Sequence, residues 1–263
     1  MSESETSLQG SSDPNPHDPP SNGGSASESE SPLPFILPLF LFLIIASRYP
    51  DFAGSYEDSL EPGVTRETWT YLFMIGLQVL VAGGLLTYFY RIYLRHFPFR
   101  ISPVSIAVGA VGVVLWIGLC ELGVESRILA ALGFDVSRPS FNPFTIPDDA
   151  VRWGFLVARF TLLALFVPII EEVFLRGWFV RWFHDPSWEN VSLKGLPMKT
   201  LLAASAYGVV AHPGEAIAAF AWFGLVTWLM NRTGNLWDCV VAHAVTNLLL
   251  GIYVVWFSQW QLW

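Results

Sequence analysis

The sequence predicts an all-α polytopic transmembrane bundle of about seven to eight helices with a polar cavity at mid-membrane. Three observations carry that expectation. Charged residues make up 14% of the 263-residue chain and hydrophobic ones 53%, whereas soluble domains carry about a quarter charged residues. Mean hydropathy is +0.47, and the apolar residues fall into runs long enough to span a bilayer. Ionisable side chains interrupt those runs, although each costs ~2.5–3.5 kcal/mol to insert at a helix centre.

Residues 1–32 read as a disordered acidic tail. They include Glu3, Glu5, Asp13, Asp18, Glu28 and Glu30, with no Lys or Arg, in a Ser-, Pro-, Gly- and Asn-rich context. Such a composition buries too little apolar surface to fold, and it lacks the basic start of a signal peptide. Residues 33–149 read as N-terminal transmembrane helices, from apolar runs at Leu33–Ser47, Trp69–Leu94 and Pro103–Leu122. Residues 150–263 carry four further runs, at Ala150–Phe183, Pro197–His212, Ala216–Met230 and Leu236–Phe257. A span needs about 20 residues at 1.5 Å rise each. The first, fifth and sixth runs are therefore short.

Basic residues set the expected orientation. Arg91, Arg95, Arg100, Arg181, Lys194, Lys199 and Arg232 flank the spans on one side, which becomes the cytoplasmic one. Arg48, Arg66, Arg127, Arg138 and Arg152 lie on the other, diluted by acids such as Asp51, Glu57, Glu67, Glu125, Asp148 and Asp149. This gives a multi-pass protein of the inner (cytoplasmic) membrane, with its N-terminus inside. Twelve Trp suit interfacial aromatic belts. Cys120 and Cys239 are too few for a disulfide framework or a thiolate zinc site and read as packing residues. No basic stripe offers itself to nucleic acid.

The fourth run contains PIIEEVFLRG, Pro168 to Gly177. Asp148 or Asp149 is placed to cap its helix. Glu172 and Arg176 stand four apart, on one face, and can pair; that pair is equally at home as a structural ion pair. Glu171 points about 100° away and cannot share Arg176 equally. Pro168 removes a backbone hydrogen bond just before it. A carboxylate held without a cation in low dielectric is a usable proton acceptor near neutral pH, which makes Glu171 the candidate base. Arg159, in the outer half of the run, reads as structural.

His212 closes the fifth run and precedes Pro213-Gly214, a helix-breaking pair. His243 and Asn247, in HAVTN, share a face of the last run. His17, His96 and His184 read as solvated. Helix rise puts Glu171 roughly 18 Å in from Phe183, His212 roughly 22 Å beyond Pro197 and Asn247 roughly 17 Å beyond Leu236. These depths are compatible. The short fifth and sixth runs can dip to mid-membrane and return, with Glu215 at the tip either in the cavity or at the outer face.

Such a constellation suits hydrolysis by activated water. Glu171 would take the proton, His212 would orient the water or protonate the leaving amine, and His243 and Asn247 would stabilise the oxyanion. Zinc is the competing chemistry, with Glu171, His212 and His243 as three ligands and water as the fourth. No HExxH pair supports it.

EEVFLR (Glu171–Arg176), a histidine closing a helix, and then HAVTN (His243–Asn247) resemble the intramembrane glutamic proteases that include CAAX prenyl endopeptidases and bacteriocin-processing or immunity proteins. The closing segment VVAHAVTNLLLGIYVVWFSQWQLW resembles the CAAX protease-related branch that accompanies the exosortase and PEP-CTERM sorting system. The resemblance covers about Ala150 to Trp263. It implies that 150–263 is a catalytic helical core with Glu171 as base, Glu172 and Arg176 in support, and His212, His243 and Asn247 completing the site. It implies no obligatory cofactor, a membrane-anchored protein or peptide substrate, and a partner from the sorting system. One departure stands out: the family's second motif usually has an aromatic four residues before its histidine, and here Gly208 occupies that position beside Tyr207. A non-catalytic membrane helper or immunity protein and a proton relay are the competing classes; a relay usually shows repeated halves, and none is visible.

Overall fold

The computed structural model describes residues 31–50, 65–133 and 140–262. The acidic tail up to Glu30 lies outside the described residues, as do Asp51, Glu57 and Arg138. Among the described residues the fold is helical, without strands. Eight α-helices follow in order: α1 Leu33–Ala46, α2 Arg66–His96, α3 Pro103–Glu121, α4 Val124–Ala131, α5 Asp149–His184, α6 Met198–Ala211, α7 Ala216–Thr233 and α8 Leu236–Phe257. Five stretches are long and apolar enough to cross a membrane: α2, α3 with the start of α4, α5, the stretch Pro213–Thr233 that holds α7, and α8. Helices α1 and α6 are apolar but shorter.

Local sequence explains the boundaries. The Thr65 side chain accepts the Thr68 N–H at 3.2 Å and opens α2, while Arg95 and His96 close it against the helix dipole. Asp148, not Asp149, caps α5 by accepting the Val151 N–H at 2.9 Å. Gly234, at φ 66°, ends α7 in the left-handed conformation that glycine adopts without strain. The Asn235 side chain then accepts the Trp237 N–H and starts α8. One expectation needs correction here. The sixth run is not short, because its helix continues through Asn231-Arg232-Thr233; Asn231 is held by reciprocal bonds with the Leu196 backbone. Helix α4, an eight-residue helix after Gly123, has no apolar run to announce it.

Helices α3, α7 and α8 form the centre, with α6 against α7 and with α1, α2 and α5 wrapped on the other side. Glycine permits the closest approach. A Cβ on Gly109 would meet the Ala242 carbonyl oxygen at 2.6 Å and Val245 at 2.7 Å. Small residues let membrane helices touch where no hydrophobic effect drives them together. Gly109→Val is expected to cost about 1–3 kcal/mol through forced separation of α3 and α8, whereas Gly76→Val, which faces open space, should leave the detergent unfolding midpoint unchanged. The exterior is apolar, with Leu80 and Val210 among the most exposed side chains, as a lipid-facing surface requires.

The two ends of the bundle are distinct. At one, Phe35 packs on Phe97 and Trp188, Trp237 donates to the Phe97 carbonyl at 2.7 Å, and Asp238 accepts the Ser102 N–H at 2.8 Å. Two residues read as solvated or loop-side belong to this packing. His96 lies against the Phe35 and Trp188 rings. Arg181 is buried and donates to the carbonyls of Gly177, Glu189 and Val191, tying the end of α5 to the following loop. At the other end Tyr49 packs on Tyr71, Phe144 on Trp260, and the Ile217 N–H donates to Glu125 at 2.7 Å. The last contact ties the start of α7 to α4.

Candidate active site

The site forms where α5, α7 and α8 meet beside the turn that follows α6. Helix α5 is not a uniform α-helix: Leu162–Phe166 and Val173–Phe179 are π-helical, flanking a short α-helical piece at Val167–Glu172. Such bulges are rare and frequent at functional sites. The first one has an identifiable cause. The Val167 N–H reaches back to the Leu162 carbonyl, and Pro168 has no N–H to give. The Leu163 carbonyl is thereby left to an outside donor, and the Asn247 side-chain amide takes it at 2.9 Å. Pro168 thus does more than loosen the helix: it prepares the acceptor that fixes Asn247.

Glu171 and Glu172 diverge as their 100° phase difference requires. Glu172 is fully buried and paired with Arg176. Arg176, also fully buried, donates through Nη2 to the Phe223 carbonyl at 3.0 Å and through Nε to Thr227 Oγ1 at 3.3 Å. The other oxygen of Glu172 lies 3.0 Å from His243 Nδ1. An ionised carboxylate only accepts, so Nδ1 donates in this bond, and the ring's Nε2 is turned the other way. That Nε2 stands 4.0 Å from Glu171 Oε2, a separation suited to one bridging water rather than a direct bond.

Glu171, His212, His243 and Asn247 all line one cavity of about 300 Å³. Glu172 and Arg176 lie behind its wall. All six candidate residues are therefore gathered, four at the surface of the cavity and two beneath it. Glu215 also lines it, which resolves the position of the turn's tip, and so does Arg159. Among the described residues, no three His, Cys, Asp or Glu side chains are grouped closely enough to hold a metal ion. The trio Glu171, His212 and His243 is not among such groups: His243 Nε2 and Glu171 Oε2 stand 4.0 Å apart, although the bond of His243 Nδ1 to Glu172 is one that a metal-binding histidine also makes.

Aromatic residues fix the imidazoles, and sequence reading missed them. The Trp222 ring lies 4.6 Å from His243, edge to face, and its Nε1 donates to Thr246 Oγ1 at 3.2 Å. Trp116 and Phe223 flank His212 at 5.4 and 5.8 Å. Gly112 makes room for this arrangement, since a Cβ there would meet Trp222 Nε1 and Thr246 Oγ1 at 2.8 Å. Gly208 has the same meaning. A Cβ at that position would stand 2.4 Å from the Phe223 ring, so the aromatic wall comes from α7 and not from α6. Gly208→Ala is expected to push Phe223 against His212 and Arg176, costing about 1–3 kcal/mol; thermal unfolding in detergent reads it directly.

Residues 153–249 match the Rce1-like family, described as type II CAAX prenyl endopeptidase. The matched stretch holds all six candidate residues. It is narrower than the Ala150–Trp263 expected, and the closing residues 250–263 fall outside it. No curated protein and no solved structure matches the chain. The similarity is thus to a family of membrane endopeptidases, on the segment from α5 to most of α8.

Proposed function

We propose that the protein is an intramembrane endopeptidase that cleaves a membrane-anchored protein or peptide with a water molecule held between Glu171 and His243. The observation that carries this reading is the chain of contacts Arg176–Glu172–His243, which aims His243 Nε2 toward Glu171 inside a cavity. A base oriented by a buried carboxylate is the logic of hydrolytic triads. Glu171 accepts a proton from the water, whose oxygen bonds to the peptide carbonyl carbon. The proton then passes to the amide nitrogen as the C–N bond breaks, leaving a carboxylate-bearing and an amine-bearing fragment.

The oxyanion that forms on the way needs donors. His243 is one candidate from the sequence; in this account it gives Nδ1–H to Glu172 and uses Nε2 as an acceptor for the water. The donor role passes to the second N–H of Asn247 and to His212, both lining the cavity. His243 becomes the partner that orients the water. Residues 150–263 act as the catalytic core in this account and 33–149 as its support. The link to exosortase-type sorting rests on the resemblance of the closing segment alone; failure of a sorted protein to mature in a strain carrying Glu171→Gln would support it.

Cleavage of a membrane-anchored reporter by purified protein tests the reading. Wild type is expected to cut it with or without a chelator, and His243→Ala is expected to lose cutting in both conditions. Activity that disappears with chelator and returns with zinc would overturn the metal-free mechanism, and equal cutting by wild type and variant would overturn the site.

A further inference from the structure

The cavity has a direction. Along α5 its lining steps from Glu171 through Val167 and Leu163 to Arg159, roughly 18 Å by helix rise. Along α8 it steps from His243 through Asn247 to Leu250, and it ends on Gln261 and Leu262 beyond the helix. Both ladders climb to the same end of the bundle, the one holding the Asp148 cap and the Phe144–Trp260 contact. The opposite half is closed. Beneath the catalytic pair lie Val226, Leu229, Met230, Leu236 and Cys239, each essentially without solvent exposure.

The two ends differ in basic residues. The closed end carries Arg95, Arg100, Arg181, Lys194, Lys199 and Arg232, beside Asp185, Glu189 and Asp238. Among the described residues the open end carries Arg48, Arg66, Arg127 and Arg152, mixed with Glu67, Glu121, Glu125, Asp148 and Asp149. Lys and Arg in short loops favour the cytoplasmic side. A polypeptide in the cytoplasm would have to pass the sealed half to reach Glu171, and irregular backbone at membrane depth is tolerated only in a cavity.

Building on the endopeptidase reading, we propose that the site is served from the non-cytoplasmic face, so that its substrate is a polypeptide whose scissile segment has already crossed the membrane. The mouth suits such a chain: Arg159, Glu215 and Gln261 provide polar groups of both kinds for an extended backbone entering from water. A prenylated C-terminal tail displayed in the cytoplasm has no route to it.

Two measurements separate this inference from the activity it builds on. The full chain with Cys120→Ala and Cys239→Ala receives Leu163→Cys inside the cavity, Gln261→Cys at its rim, or Ser192→Cys in the loop at the closed end. A membrane-impermeant maleimide should label Leu163→Cys and Gln261→Cys in intact cells, and Ser192→Cys only in inverted vesicles. The reverse pattern overturns the proposal, and Gln261→Cys, being exposed, carries the test if Leu163→Cys fails to accumulate. Reporters presenting one scissile segment on either side of the membrane follow. The non-cytoplasmic reporter alone should be cut, with loss of cutting in Glu171→Gln; cutting of the cytoplasmic reporter alone overturns the proposal. If neither is cut while the labelling is as expected, the endopeptidase reading falls and the opening stands.

Discussion

Glu171→Gln is expected to lower the cleavage rate by about 10²–10⁴-fold, the range over which a positioned general base contributes, with folding intact. The side chain lies at the cavity surface, 4.0 Å from His243 Nε2. Gln keeps the shape and removes the proton acceptor. No buried ion pair is broken, so the unfolding midpoint in detergent should stay at the wild-type value. Retained turnover at the wild-type rate would mean that the water is activated elsewhere.

Glu172→Gln should behave in the opposite way. Its carboxylate is fully buried between the Arg176 guanidinium and His243. Removing one partner of a buried pair leaves the other charge uncompensated and costs about 3–5 kcal/mol. Arg176 would keep its bonds to the Phe223 carbonyl and Thr227 but lose its counter-charge. Because replacing a whole buried pair with apolar groups is often neutral, Glu172→Gln combined with Arg176→Met should recover much of the stability. It should not recover cleavage, since a neutral Gln amide can turn either its oxygen or its NH2 to His243 Nδ1 and no longer holds the imidazole with a carboxylate's charge. A double variant as unstable as Glu172→Gln alone would show that the pair is not the source of the loss.

The different surroundings of the two glutamates were legible in the sequence to a useful degree. The spacing of Glu172 and Arg176 and the 100° offset of Glu171 are consequences of helix geometry alone, and apolar run lengths are enough to place seven of the eight helices. What escaped has a common character. The Trp222–Thr246 bond, the fit of Phe223 into the space above Gly208 and the hold of Asn247 on the Leu163 carbonyl each join residues distant in the chain. Nothing in local periodicity encodes such pairings. Pro168 gave a partial signal, since a missing N–H implies a carbonyl in need of a donor, but not which donor arrives. Arg181 and His96 misled because a charged or polar side chain near a helix end usually meets water; here Trp188, in the loop after α5, and Phe97 lie against both, and Phe35 of α1 lies against His96. Helix α4 is brief and only partly apolar, and Glu125 joins it to the first turn of α7.

The central claim is that two adjacent glutamates divide chemistry from structure. The most direct test measures unfolding midpoint and reporter cleavage on Glu171→Gln and Glu172→Gln, side by side in one detergent. The account predicts that Glu171→Gln keeps the midpoint and loses cleavage, while Glu172→Gln lowers the midpoint sharply. Two variants with the same midpoint and the same residual cleavage would contradict it.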